Sequence, residues 1–126
     1  MTADVFTSTG PLTTDAALDE SALLSGDEAA AAEWLAYVGL GGRYAAVQHH
    51  RFWRRWTGRC WVACEVEEVH AAVRRVLGSV YDQRMEADPT PTEVMLLQRL
   101  MDLNWRLGPL MAALRRTVIV PADRLS

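Results

Sequence analysis

The chain has 126 residues and a mass of 14.1 kDa, which is enough for one domain with one core. Half of its residues are hydrophobic and 23% are charged, as in ordinary globular domains. No apolar run reaches the roughly 18 residues of a membrane span, and two cysteines are too few for a disulfide scaffold.

A formal net charge of −3 speaks against a basic nucleic-acid binder, but the charge is unevenly placed. Residues 1–42 carry seven acids and no base, whereas residues 43–126 carry 13 Arg, no Lys and nine acids. Residues 1–24 are polar, show no sustained period and lack the basic and apolar regions of a signal peptide. They read as a flexible acidic leader ahead of a domain over residues 25–126, and a cytoplasmic location is the expectation.

Ser25 and Glu28 have capping-box spacing, so a helix is expected over Ala30 to Leu40. It would have Ala31, Trp34, Leu35 and Val38 on one face and Gly41-Gly42 as its stop. Residues 43–62 differ in kind, with Tyr44, Phe52, Trp53, Trp56, Trp61, five Arg, two His and no acid. Thr57-Gly58 suggests a small hairpin, Phe52–Trp56 paired with Arg59–Ala63, and Tyr44 to Val47 could add a third short strand. From Glu65 a helical period returns in Val66, Val69, Val73, Val76, Leu77 and Val80, ending near Asp88-Pro89. Thr90-Pro91-Thr92-Glu93 then opens a helix with an N-cap Thr, Pro at the first position and Glu at the third, carrying Val94, Leu97, Leu100 and Met101. Gly108-Pro109 breaks the pattern, Leu110 to Arg116 forms a last short helix, and Thr117 to Val120 is extended. The expected fold is mainly α, a bundle of three to five helices with a small β-hairpin at about residues 43–63. Its core would hold Trp34, Leu35, Val38, Val66, Val69, Val73, Val76, Leu77, Val80, Leu97, Leu100 and Met101.

Three chemistries can be drawn from these residues. The Arg–aromatic segment offers what a single-stranded nucleic acid needs, charge along a backbone track and flat faces for bases. Strand alternation would put Phe52, Arg54 and Trp56 on one face and Trp53 and Arg55 on the other. The same tryptophans would serve equally well as the core of a small sheet, with the arginines merely solvated. A metal site would have to use His50, Cys60, Cys64 and His70, whose spacing matches no common zinc module, so neither metal nor cofactor is expected. No phosphate-binding glycine loop, nucleophile elbow or His-Glu-x-x-His motif occurs, and Glu65, Glu67 and Glu68 suit a helix N-terminus better than catalysis. An enzyme is therefore not expected.

The order Ala32-Glu33-Trp34-Leu35-Ala36, then Gly42-Arg43-Tyr44, then Phe52-Trp53-Arg54-Arg55-Trp56-Thr57-Gly58-Arg59-Cys60-Trp61 ahead of a long helix resembles a known family. It looks like the N-terminal helical domain of the phage and plasmid primase–helicases of the poxvirus D-type class. That family's pattern of Arg-Tyr followed by Trp-x-x-Trp-x-Gly-x-x-Trp corresponds to Arg43-Tyr44, Trp53, Trp56, Gly58 and Trp61. Residues 115–125 also resemble the junction that leads toward a helicase ATPase. The resemblance covers about residues 29–125 and implies a non-catalytic accessory domain of a DNA-replication protein. Such a domain engages the single-stranded template during priming or unwinding, and its partners would be single-stranded DNA, held weakly, and replication proteins or the rest of a primase–helicase. The residues expected at the nucleic acid are Arg43, Arg51, Phe52, Arg54, Arg55, Trp56 and Arg59. The alternative is a protein–protein interaction module, in which the acidic N-terminal segment binds a basic partner or masks the Arg-rich hairpin.

Overall fold

The computed structural model describes residues 10–125, and the backbone alone for residues 103–106. A 3-10 turn (Glu20–Leu24) leads into α1 (Glu28–Trp34), which runs on as a π-helical turn (Leu35–Gly39). Three strands follow, β1 (Tyr44–Val47), β2 (Trp53–Trp56) and β3 (Trp61–Cys64). Then come α2 (Val66–Glu86), α3 (Pro91–Leu100), α4 (Leu103–Val118), β4 (Ile119–Val120) and a closing 3-10 turn. The strands form one sheet in the order β3-β2-β1-β4, with β4 parallel to β1 and the other pairs antiparallel. The fold is therefore α+β with a four-stranded mixed sheet, which corrects the expected helical bundle with a hairpin. The core lies between the helices and the sheet face that carries Ala46, Trp53 and Cys64.

Local chemistry explains most boundaries. Asp27, not Ser25, caps α1, accepting from the backbone N–H of Ala29 and Ala30 at 3.0 and 3.3 Å. Thr90 caps α3 as its sequence suggests, accepting from the Glu93 N–H at 3.2 Å, with Pro91 at the first position. In the β2–β3 turn the Thr57 hydroxyl accepts from the N–H of Arg59 and of Cys60, at 3.3 and 3.2 Å. That holds four residues out of the ladder, so β3 begins at Trp61 rather than Arg59 and Trp56 faces Trp61.

Two expectations fail for tertiary reasons. Pro109 does not end a helix; it lies inside α4, although a mid-helix proline costs about 3 kcal/mol. The offset comes from burying Leu110, Met111, Ala113, Leu114 and Val118 along the same helix. Thr117, expected to be extended, stays helical, its hydroxyl donating back to the Ala113 carbonyl at 2.9 Å. Residues 10–24 lie against the body. Leu23 is fully buried, Leu12, Leu18 and Leu24 pack on the core, and Arg84 Nε donates to Glu20 Oε1 at 2.7 Å. The first nine residues of the expected leader fall outside the described residues.

The π-turn decides a further difference. Leu40 N–H bonds the Leu35 carbonyl at 2.7 Å, a five-residue step that widens the turn. Val38 is thereby rotated out of the expected core stripe and is 51% exposed. Gly39 takes the inward position, where a Cβ would sit 2.8 Å from Val76 Cγ1 and 3.1 Å from Trp34 Cζ3. Gly39→Ala is thus expected to destabilise by about 1–3 kcal/mol, since Val76 is β-branched on a helix and has little rotameric freedom to yield. Chemical denaturation measures it; a gain, as helix propensity alone would give, would contradict the close α1–α2 approach.

Candidate nucleic-acid interface

Residues directly opposite on neighbouring strands point to the same side of a sheet. The pairs Ala45↔Arg54, Arg54↔Ala63 and Trp56↔Trp61 therefore define one face, which carries Arg54, Trp56 and Trp61. Tyr44↔Arg55, Ala46↔Trp53 and Trp53↔Cys64 define the other, which meets the core. The alternation read from the sequence is the one observed, and it sorts the tryptophans. Trp53 is 4% exposed and structural, while Trp56 and Trp61 are half-buried on the far face. Their rings pack with centroids 5.6 Å apart and planes tilted by 55°. Trp61 Nε1 is buried without a hydrogen-bond partner among the described residues, an unusual state for an indole donor.

The seven residues expected at a nucleic acid do not all converge. Arg54 and Trp56 lie together on the far face; Arg51 and Phe52 precede β2 and are exposed, and Arg59 is exposed in the β2–β3 turn. Arg43 is exposed at the start of β1, where its carbonyl accepts from the Trp56 N–H at 2.8 Å. Arg55 is the exception. It lies on the core-side face with its Nε 3.3 Å from Glu68 Oε2, to which the Tyr44 hydroxyl also donates at 3.2 Å. Its charge is thus engaged in joining the sheet to the first turn of α2. Burial first, and the Glu68 carboxylate second, push the Tyr44 hydroxyl above its ordinary range.

Electrostatically the two faces are unlike. Residues 43–64 contain no acid, and among the described residues no carboxylate forms an ion pair with Arg43, Arg51, Arg54 or Arg59. The described part of the acidic segment does not supply one either: Glu20 pairs with Arg84 near the far end of α2. His50 and Arg115 were not singled out for one another by sequence, yet the Arg115 guanidinium donates to the His50 carbonyl at 2.9 Å and ties α4 to the β1–β2 turn. A separation of 65 residues left no local signal for that bond.

Other chemistries find little here. Among the described residues no group of three or more His, Cys, Asp or Glu could hold a metal ion. Cys60 is exposed in the turn, and Cys64 is buried with its thiol pushed up to about 11, by burial first and by Glu68 second. Such a thiol is protonated at neutral pH and a poor nucleophile. No helix among the described residues is long and apolar enough to cross a membrane. Comparison with family models, curated proteins and solved structures found no match.

Proposed function

We propose that this domain binds single-stranded nucleic acid weakly, through the sheet face and turns that carry Arg51, Phe52, Arg54, Trp56 and Arg59. One observation supports the reading above all: Trp56, Trp61 and Arg54, which has no carboxylate partner among the described residues, share one side of the sheet, while the acid-paired Arg55 is on the other. Guanidinium groups bind phosphates and stack on bases, and Phe52, 45% exposed just ahead of β2, offers a further ring. The setting is the one the family resemblance implies, a non-catalytic accessory domain of a replication primase–helicase. The mixed sheet means that the resemblance bears on the Arg–Trp pattern rather than on a helical bundle.

The expected behaviour is quantitative. Three phosphate contacts to a single strand give a log–log salt slope of about −2, or roughly 20-fold weaker binding at 200 mM than at 50 mM salt. Titration of a labelled single-stranded oligonucleotide by anisotropy measures it. The triple variant Arg51→Ala, Arg54→Ala, Arg59→Ala is expected to lower the slope by about 2, the share of those three contacts. Absence of binding at 50 mM salt, or affinity indifferent to salt, would overturn the reading.

A further inference from the structure

Beyond the sheet, one groove of about 450 Å³ combines cations with an apolar floor. It runs between the π-turn and α2, floored by Trp34, Leu40, Val76 and Val80, with Arg43 and Arg75 at its rim. We propose that this groove continues the track of the sheet face, taking a neighbouring backbone phosphate between Arg43 and Arg75 and the attached sugar or base on the floor. The inference rests on the single-strand reading above and extends it to α2.

Arg43 belongs to both regions. Its carbonyl is bonded to Trp56 in the sheet, while its guanidinium turns back over Gly41, with Nε 4.0 Å from where a Gly41 Cβ would lie. The residue thus lines the groove as well as adjoining the sheet. Arg75 is exposed and has no carboxylate ion-paired with it among the described residues. Among the described residues the one acid lining the groove, Glu20, already holds Arg84 at 2.7 Å, so the local field at the mouth is that of the two arginines. Ser79 and Gln83 follow Arg75 at four-residue steps on the same side of α2 and line the groove as neutral hydrogen-bonding groups. An anionic chain with apolar faces suits this combination; a basic partner does not.

The test uses the full chain, a labelled oligodeoxynucleotide of about 15 nucleotides, long enough to cover both regions, two variants on the solvent side of α2 and one charge control on α3. Arg75→Ala is expected to lower the salt slope by about 0.7, the share of one single-strand phosphate. Ser79→Glu is expected to weaken binding several-fold at 50 mM salt, whereas Gln98→Glu, which adds the same charge at an exposed position outside the groove, keeps wild-type affinity. Glu is a good helix former, so the fold is retained in both. Wild-type affinity and slope in Arg75→Ala and Ser79→Glu, with binding still lost in the sheet triple variant, would overturn the groove and leave the sheet reading standing. Weakening in the groove variants alone would uphold the groove and overturn the sheet reading. No binding by the wild-type chain at 50 mM salt would overturn both.

Discussion

Replacing Trp53 by Ala is expected to cost about 3–5 kcal/mol, the loss typical of truncating a buried aromatic side chain. Trp53 is 4% exposed, lies opposite both Ala46 and Cys64 in the ladder, and belongs to the core that joins the sheet to the helices. A small domain holds about 5–15 kcal/mol in total, so this one change removes a large fraction of it. Trp56→Ala is expected to cost clearly less, because its ring is only half-buried, beside Trp61. Urea denaturation followed by circular dichroism compares the two without relying on tryptophan emission. Equal losses would contradict the division of the sheet into a structural and a binding face. The consequence for function has the opposite sign: any binding defect in Trp53→Ala should track unfolding, while a defect in Trp56→Ala should persist in fully folded protein.

The contrast shows how far the sequence carries. Alternation alone separates Trp53 from Trp56, since neighbours two apart share a side of a strand and Trp53 is an odd step away. Which side faces the helices is not in the alternation; it follows from pairing with Ala46 and Cys64. The α2 stripe was legible because Val69, Val73, Leu77 and Val80 recur at helical spacing and all are buried. β4 was not, because it has two residues and pairs with Ala46 and Val47 across more than seventy positions. A parallel pairing of that range leaves no local pattern. Leu110, Leu114 and Val118 were passed over as core for a different reason: Pro109 marks a break by every local rule, and the burial that overrides it is tertiary. At the candidate interface the residue types were legible, but the engagement of Arg55 by Glu68 required knowing that β2 passes the start of α2.

Gly42→Ala is expected to release the N-terminal segment from the body. Gly42 has φ +70, and a Cβ there would lie 2.0 Å from the Leu12 carbonyl oxygen and 2.9 Å from its carbon. Both atoms are backbone, so no side chain can turn aside. The left-handed conformation alone costs roughly 1–2 kcal/mol for a non-glycine residue. The collision adds the loss of the Leu12 N–H bond to the Gly42 carbonyl, 2.8 Å long, and loosens the packing of Leu12 and Leu18 that this bond aligns. Gly26→Ala separates the two contributions: its φ is +84, yet nothing lies within 4 Å of the added carbon. It should show the conformational strain and nothing more. Amide exchange provides the readout, with Leu12 losing protection in Gly42→Ala but not in Gly26→Ala, while the amides of α2 around Val73 and Leu77 stay protected in both. Protection at Leu12 unchanged in Gly42→Ala would mean that the segment is not held at this point. Because Gly42 directly precedes Arg43, the same substitution is also expected to weaken nucleic-acid binding through the groove, and the Gly26 variant should leave it at the wild-type level.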